Sequence, residues 1–550
     1  MDIPQAGTSW VDAFRRRHGR APRVLHIGNI ANNAYKIAKA LNLGGLDCDV
    51  ICHSYYHIMA CPEWEEADGD FRFRDQFHPD WHEARLGDYE RPRWFVQGEL
   101  ETCIAYLLAR RRRDTALGEK LWKVLQHENR TRRFGPGGLL ALLPQVLAPR
   151  TVRLRRRVKA LFHDRKAAQR AARRIEAAIG TETRLRRALA RLAAGVAAAA
   201  ITAFQALLPF RAARAAYDAA DSELQDQKAR WARRFQESFP LRRDQLGEDE
   251  VTDFLRTSKL WAGLLQEYDI VQAYATDPII PMLNGSHPYV AFEHGTLRVF
   301  SLEDNTTSRL TALAYNRADH VFITNGDCRD YAERIGVTRY SGIPHPVETP
   351  QALGVRGDPG SLRRRYGVSS LFLCPLRHDW AIKGTDRYIR ALPLIKARLG
   401  PDFKLLATNW GADLASSRSL AEELGVMDRI DWIDPLPRHA LLRMVGSVDI
   451  VFDQIALPVF GATAPEAIGA GTPVIMSYDS ALTEWFIPEP APILCAWTPD
   501  EIAAQVAVAL DGSWRKEYEA RARLWFERWH SIQAVAAEHL KVYSRLCPAG

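Results

Sequence analysis

Short apolar runs of strand length alternate with helical stretches in both halves of the chain. They lie at residues 23–27, 48–53, 269–274, 288–292 and 320–324, and again at 371–376, 403–408, 430–433, 449–452 and 473–476. Continuous apolar runs of this length indicate strands buried on both faces, and the helices between them complete βα units. The pattern therefore predicts an α/β protein with two Rossmann-like domains.

Two prolines mark the boundary between these domains. Residues 343–347 (IPHPV) predict a linker, because proline restricts its own backbone and that of the preceding residue. We expect an N-terminal domain at residues 1–346, a C-terminal domain at 347–525, and a closing helical segment at 526–550 within a longer helix over 521–546. Residues 1–20 are basic and are expected to form a frayed arm.

A different pattern interrupts the first domain at residues 101–240. Residues 101–200 hold 24 Lys and Arg against 7 Asp and Glu, whereas the whole chain has a net charge of only +8. The stretch is rich in the strong helix formers Ala, Arg and Leu. We predict a large basic helical insertion with helices at 101–112, 115–132, 151–178, 182–208 and 211–237. Such a segment attracts anionic lipid headgroups, nucleic acid or an anionic polymer.

Two apolar stretches in this insertion, 137–149 and 192–210, are flanked by arginines. The second has nearly the length of a spanning helix, but its alanines, Gln205 and Pro209 weaken membrane insertion. A spanning helix, docking of residues 137–211 on an anionic membrane surface, and a soluble helical hairpin all stay open. Eight scattered cysteines and no apolar leader favour the cytoplasm, with peripheral attachment to the inner face of the membrane as an option.

The segment between the last two apolar runs carries the clearest chemistry. Gly461 permits close approach of the backbone to a ligand, and Pro465 suits the first turn of a helix. Free amides at the start of that helix would then form a seat for a pyrophosphate. These are the amides of Ala462, Thr463 and Ala464.

A carboxylate lies one turn into the same predicted helix. Glu466 can accept two hydrogen bonds from a vicinal diol such as a ribose. Phosphate-binding amides beside a diol-binding carboxylate describe a nucleotide site. An ordinary loop–helix corner of an α/β domain is the alternative.

This segment resembles the nucleotide-sugar loop of retaining glycosyltransferases of family 4, which have the two-domain GT-B fold. The resemblance rests on Phe460, Gly461, Glu466, Ala467 and residues 471–475 (GTPVI). The usual first Glu of the family is absent, because Pro458 stands in its place and Val459 replaces the following Gly. The resemblance implies transfer from a UDP- or GDP-sugar to a bacterial surface glycan or its lipid carrier, and a last helix that crosses back to the first domain.

Further site residues follow from the loops at strand ends. Arg377 and Lys383 flank a loop after a predicted strand, and the resemblance implies that they bind the diphosphate. It also implies that His294 faces the donor sugar and the reacting centre. Asp453 is a nearby carboxylate that we consider as a partial substitute for the missing Glu. Fixed cations and helix amides can stabilise a leaving diphosphate, so neither a metal ion nor a separate cofactor is expected.

The first domain offers residues for both substrates. Gly28 and Asn29 end the first predicted strand, where open α/β sheets bind ligands, and Asn33 follows on the acceptor side. Simple turn chemistry is the alternative for this loop. Tyr55 and Tyr56 are expected to stack on acceptor sugar rings, unless they pack on the domain.

Three interpretations stay open for the whole chain. The first is a retaining glycosyltransferase that acts on a glycan or lipid-linked glycan, and the second is a sugar-nucleotide epimerase on the same fold. The third is a degenerate GT-B fold that serves as a membrane-associated scaffold or binding protein. Pro458 favours the third, whereas the joint presence of His294, Arg377, Lys383 and Glu466 disfavours it. Nucleic acid is not expected as a partner.

Overall fold

Two parallel-sheet α/β domains form the main compact unit of the computed structural model. The structure describes residues 5–53, 57–68, 84, 86, 88–131, 210–300, 303–348 and 357–549. One compact unit contains residues 1–132 and 231–550, and a second contains residues 133–230. The predicted pair of Rossmann-like domains is confirmed within the first unit.

The first domain is built on a seven-stranded parallel sheet in the order β3-β2-β1-β4-β5-β6-β7. Its strands are β1 (Arg23–Ile27), β2 (Asp47–Cys52), β3 (Phe95–Gln97), β4 (Ile270–Tyr274), β5 (Tyr289–Glu293), β6 (His320–Ile323) and β7 (Tyr340–Gly342). The chain runs outward from β1 to β3 and then returns to the other side of β1 as β4. The strand order therefore reverses between β1 and β4.

The strands of this sheet are buried along most of their length, as is typical of parallel sheets. Twelve α-helices are described between residues 5 and 334. They are α1 (Gln5–His18), α2 (Asn33–Leu43), α3 (Pro62–Glu66), α4 (Leu100–Arg111), α5 (Thr115–Thr131), α6 (Phe210–Ser238), α7 (Thr252–Ser258), α8 (Ala262–Leu265), α9 (Ile279–Asn284), α10 (Thr296–Phe300), α11 (Thr306–Arg317) and α12 (Cys328–Arg334).

The N-terminal segment is a packed helix, which corrects the expectation of a frayed arm. Trp10, Val11 and Phe14 of α1 are buried in the core of the first domain. The indole Nε1 of Trp10 donates a hydrogen bond to the carbonyl of Cys547 at 3.0 Å. These apolar residues share one face of the helix, although arginines dominate the composition of its last turn.

The second domain is built on a six-stranded parallel sheet in the order β10-β9-β8-β11-β12-β13. Its strands are β8 (Ser370–Cys374), β9 (Phe403–Thr408), β10 (Ile430–Ile433), β11 (Ile450–Phe452), β12 (Val474–Met476) and β13 (Leu494–Cys495). The remaining helices are α13 (Pro359–Tyr366), α14 (Thr385–Leu399), α15 (Leu414–Glu423), α16 (Arg438–Val445), α17 (Thr463–Ala470), α18 (Pro499–Ala509), α19 (Gly512–Trp529) and α20 (Ile532–Leu546).

The end of the chain forms two helices instead of the single helix predicted at 521–546. Ser531 separates them, and its hydroxyl caps α20 by accepting the amide of Ala534 at 3.2 Å. Trp525 of α19 packs in the second domain, whereas Tyr543 of α20 packs in the first and donates to Gln272 of β4 at 2.7 Å. The last helix therefore packs on the first domain.

Only parts of the predicted helical insertion can be compared with the structure. The helices predicted at 101–112, 115–132 and 211–237 correspond to α4, α5 and α6. Those at 151–178 and 182–208 lie outside the described residues, as does nearly all of residues 137–211. Where the chain is described, no helix combines the length and apolar composition that crossing a bilayer requires.

Candidate functional site

Two loops meet at the carboxyl edge of the second sheet. The loop after β8 and the loop after β11 are joined by the amide of Ile455, which donates to the carbonyl of Lys383 at 2.9 Å. Gly384 makes this contact feasible. Its φ of +65° favours glycine, and a Cβ there would lie 3.0 Å from the amide nitrogen of Ala456.

Lys383 is the cation at the centre of this edge. Its Nζ donates to Oε1 of Gln454 at 2.6 Å, and the side-chain amide of Gln454 donates in turn to the carbonyl of Val459. Burial lowers the pKa of Lys383, Asp453 opposes this change, and Arg377 reinforces it. The ammonium group is thus partly desolvated and held in place, which increases its effect on a bound anion.

Arg377 lies on the same loop with a more open side chain. It is 42% exposed and pairs with Asp379 at 3.1 Å. Burial lowers the pKa of His57 in the first domain, and the positive charge of Arg377 lowers it further. The charge of Arg377 therefore reaches a residue of the first domain.

The predicted phosphate seat at the start of α17 needs correction. Asp453 uses one carboxylate oxygen to accept the amide of Ala464 at 2.9 Å and the other to accept the amide of Gln454 at 2.8 Å. Of the three amides expected to be free, Ala464 is therefore engaged, which leaves Ala462 and Thr463. Asp453 itself is buried as a helix-capping carboxylate.

Asp453 also connects the two charged groups that the sequence singled out. Burial raises the pKa of Asp453, Lys383 opposes this change, and the negative charge of Glu466 reinforces it. Lys383 and Glu466 therefore act on one shared carboxylate. This position gives Asp453 a structural task in addition to the catalytic one predicted for it.

Phe460 packs in the core rather than toward a donor. The residue is buried, and its ring lies 5.0 Å from that of Tyr478, 5.3 Å from His530 and 5.9 Å from Trp525. Burial of this apolar ring anchors the loop to the core of the second domain. At the next residue, Gly461, a Cβ would meet only Oε1 of Gln454, at 4.0 Å, so this side of the loop has room for a ligand.

Glu466 takes part in a buried ionic network. Its Oε1 accepts a hydrogen bond from Nη1 of Arg438, the first residue of α16. Nε of Arg438 also lies 3.3 Å from Oε1 of Glu65 in the first domain, and Glu65 lies 3.5 Å from Nζ of Lys36. All four residues are buried, so the network connects the two domains. The predicted ribose-binding carboxylate thus has one oxygen engaged by Arg438.

On the first domain, His294 follows β5 and approaches a predicted acceptor-side residue. Nδ2 of Asn33 lies 3.4 Å from Nδ1 of His294, and the imidazole stacks on Tyr274 at 5.6 Å. Burial, and to a lesser extent His345, lowers the pKa of His294 to about 3. The ring is therefore neutral at physiological pH.

Asn29 holds the loop after β1 together. Its side-chain amide donates to the carbonyl of Ala60 and to Oδ1 of Asn32, both at 2.9 Å, and its oxygen accepts the amide of Tyr35 at 3.0 Å. The buried side chain is thus used within the protein, which corrects the expectation that it binds the donor. Gly28 precedes it with φ +92°. Tyr55 and Tyr56 lie outside the described residues.

Three site residues were not predicted from the sequence. Gln454 orients Lys383, and Arg438 pairs with Glu466. Arg298 of α10 pairs with Asp327 at 2.6 Å and also contributes to the lowered pKa of Lys383. Neither Arg298 nor Arg438 had a local signal in the sequence, because α10 begins only at Thr296, after Gly295 with its φ of +88°, and no helical turn joins Arg298 to His294.

Comparison with known families gives a match within the second domain. Residues 371–525 match the family model described as glycosyl transferases group 1. The matching segment begins in β8 and includes Arg377, Lys383, Asp453, Gln454 and Glu466.

Two relatives match about a third of the chain. A D-inositol 3-phosphate glycosyltransferase of Stackebrandtia nassauensis is 27% identical over 191 residues, which cover 33% of this chain and 42% of the relative. A GDP-mannose-dependent alpha-(1-6)-phosphatidylinositol dimannoside mannosyltransferase of Mycobacterium tuberculosis is 29% identical over 169 residues, which cover 30% and 42%. The chain thus spans less than half the length of these relatives.

Solved structures show distant similarity. Sucrose-phosphate synthase from Thermosynechococcus elongatus has a TM-score of 0.42 at 16% identity. The superposed region covers 56% of this chain and 81% of the synthase chain. WaaG, a glycosyltransferase involved in lipopolysaccharide biosynthesis, has a TM-score of 0.39 at 16% identity, with coverage of 53% and 83%.

Proposed function

We propose that the protein is a glycosyltransferase that moves a sugar from a nucleoside-diphosphate donor to a hydroxyl group of a glycan or lipid-linked glycan. The observation that carries this proposal is the position of Lys383. Gln454 holds its ammonium group at the sheet edge where Arg377 and the start of α17 also present positive charge. Fixed cations of this kind stabilise the negative charge that develops on a leaving diphosphate.

Each predicted group then has a role in the transfer. Arg377, Lys383 and the amides of Ala462 and Thr463 bind the diphosphate, and the second oxygen of Glu466 binds the ribose. The neutral imidazole of His294 forms a hydrogen bond with the donor sugar. Because these groups supply the charge that the leaving group needs, the proposal includes no metal ion.

We further propose that the reaction proceeds with retention. In a front-side displacement, the bond between the anomeric carbon and the diphosphate oxygen breaks, and the acceptor oxygen bonds to the same face. The acceptor proton passes to the departing phosphate. This scheme requires no protein nucleophile, which agrees with Pro458 at the place of the family's first Glu.

The proposal also covers the nucleotide base of the donor. One relative is named as GDP-mannose-dependent and acts on a phosphatidylinositol dimannoside, so GDP-mannose is the first donor to test, with UDP-sugars beside it. We place the reaction on the cytoplasmic side, with the basic insertion at an anionic membrane surface.

A thermal-shift screen with nucleoside diphosphates and their sugars tests this function. We expect UDP or GDP to raise the melting temperature, because a ligand that binds only the folded state stabilises it by mass action. Glu466→Ala should abolish this shift, provided that circular dichroism shows a folded variant. Glu423→Ala, in α15 of the same domain, serves as the control.

A product assay separates the competing functions. A transferase releases the nucleoside diphosphate and forms a glycoside with an added octyl glycoside acceptor. Conversion of the donor to its epimer without release of the diphosphate would indicate an epimerase. A protein that binds no nucleoside diphosphate in the screen would contradict the proposed function.

A further inference from the structure

The carboxylate of Asp277, which has no role in the proposed transfer, lies near the point where the strand order of the first sheet reverses. Ligands of open α/β sheets bind outside the carboxyl ends of the strands where the strand order reverses, which is between β1 and β4 here. Gly28 follows β1, His53 follows β2, and Asp277 lies three residues after β4. The proposed function, which places the nucleotide on the second domain, leaves this crevice for the other substrate.

The backbone around this crevice is held in sparsely populated conformations. Among the described residues, four non-glycine residues have positive φ, and three of them lie in the loops after β1 and β4. They are Ala31 (49°), Asn32 (53°) and Ala275 (54°). Such conformations cost free energy and concentrate at functional sites.

Asp277 has no hydrogen-bond donor within the described part of the chain. Its side chain is only 17% exposed, and Nε2 of His53 lies 3.8 Å from Oδ1, which is too long for a hydrogen bond. By contrast, the neighbouring Glu293 accepts the amide of Leu297 at 3.4 Å. A largely buried carboxylate without a donor is costly, and hydroxyl groups of a ligand would satisfy it.

Gly28 is the residue that lies against the carboxylate of Asp277. A Cβ at Gly28 would lie 2.6 Å from Oδ2 of Asp277, and the φ of +92° at Gly28 disfavours any other residue. A larger side chain would displace or cover the carboxylate. The loop after β1 therefore packs closely against the carboxylate of Asp277.

We propose that Asp277 is an acceptor-binding residue that receives hydrogen bonds from the hydroxyl groups of an uncharged sugar or polyol. This proposal rests on the proposed function and names the substrate class at its acceptor side. A carboxylate accepts two or more hydroxyl hydrogen bonds, and its charge repels a phosphate at the same position. The end of the acceptor that enters this crevice is therefore rich in hydroxyl groups and uncharged.

The titratable groups around Asp277 are His53 after β2, Tyr274 of β4 and Tyr315 of α11. Burial lowers the pKa of His53 to about 4 and raises those of both tyrosines, so all three are neutral at pH 7. Burial raises the pKa of Asp277 itself to about 7. Acceptor binding should therefore strengthen as the pH rises through 7, when Asp277 becomes ionised.

Transfer kinetics with three probes test this assignment in the full-length protein. The probes are octyl α-D-mannoside, octyl β-D-glucoside and myo-inositol, each titrated at saturating donor. For Asp277→Asn we expect a KM for the acceptor at least tenfold higher, unchanged affinity for UDP and GDP, and hydrolysis of the donor within about twofold of the wild-type rate. The dependence of kcat/KM on pH near 7 should also disappear. Asp253→Asn, at a side chain that is 91% exposed in the same domain, should match the wild type.

Two results would overturn the assignment alone. One is a wild-type enzyme that binds the nucleotide and hydrolyses the donor, yet transfers sugar to none of the three probes. The other is an Asp277→Asn variant that folds, as judged by its melting temperature, and retains both the acceptor KM and the pH profile of the wild type. A wild-type protein that binds no nucleoside diphosphate would instead overturn the proposed function, and this assignment with it.

Discussion

Individual residues of the site owe their charge states to burial, which a sequence does not show. The strand-end position of His294 was predicted, but its neutrality results from packing on Tyr274 and Phe292. Lys383 was likewise predicted as a cation, whereas its partner Gln454 lies 71 residues away and became evident only in the structure. The sequence thus predicted which residue types form the site, but not the side chains that contact them.

The neutrality of His294 leads to a kinetic prediction. For His294→Asn we expect kcat for sugar transfer to fall by about 100-fold through loss of a positioned polar group, with unchanged affinity for the nucleoside diphosphate. Because the pKa of His294 is about 3, the pH profile between 5.5 and 8.5 should keep its shape in the variant. Steady-state kinetics over this range check both points.

The control for this variant is His287→Asn, since that imidazole is half exposed and pairs with Asp319 at 2.8 Å. It should leave kcat unchanged. Loss of an apparent pKa between 6 and 7 in His294→Asn would contradict the neutral state.

At the scale of elements, apolar runs located ten of the thirteen described strands to within a residue or two, because buried parallel strands have little other sequence freedom. The short strands β3, β7 and β13 were not predicted. Features that depend on distant contacts were missed. Asp453 caps α17 from 11 residues away, and α1 acquires its buried face only by packing near Cys547. The break between α19 and α20 had a local signal in Ser531, which was overlooked.

Helix α16 offers a matched comparison of a buried and an exposed ion pair. Arg438→Met should destabilise the protein by about 3–5 kcal/mol, because it leaves Glu65 and Glu466 buried without their shared partner. Arg443→Met, on the same helix, removes a pair with Asp68 on the surface and should cost less than about 1 kcal/mol. Urea unfolding of both variants measures the difference.

A second substitution tests whether the cost arises from the unpaired acid. Glu65→Gln combined with Arg438→Met should recover part of the lost stability, because one of the buried charges is removed. Equal costs for Arg438→Met and Arg443→Met would contradict the assignment of a buried interdomain network.

For the whole molecule, the sequence predicted the number, class and order of the two domains. It did not reveal what connects them. The ionic network joins Glu65 to Arg438 across 373 positions, and the last helix reaches back to β4 through Tyr543 and Gln272. Contacts at such separations follow from the fold rather than from any local pattern. Most of the basic insertion lies outside the described residues.

Buried histidines should make the molecule sensitive to acid. Burial lowers the pKa of seven of them to about 3 or 4, namely His26, His53, His294, His320, His345, His530 and His539. Their stabilising contribution is complete above the unfolded pKa of about 6.5 and is lost as the pH falls from there toward the folded values.

Four acids act in the opposite direction, because burial raises the pKa of Asp277 to about 7 and that of Glu293 to about 6 and also raises those of Glu66 and Asp453, but the histidines outnumber them. We therefore expect the urea midpoint to decrease steadily between pH 7 and pH 4.5. A midpoint that stays constant or increases over this range would show that these imidazoles are not buried in neutral form.

The central claim is that the edge of the second sheet binds a nucleoside diphosphate through Lys383. Calorimetric titration of UDP and GDP into the wild type, Lys383→Met and Lys404→Met tests it directly, since Lys404 lies in β9 of the same domain and pairs with Asp431 at 3.4 Å. We predict that one nucleotide binds the wild type and Lys404→Met equally, and that its affinity for Lys383→Met falls at least tenfold. Equal affinity for all three proteins, or no binding to the wild type, would contradict the claim.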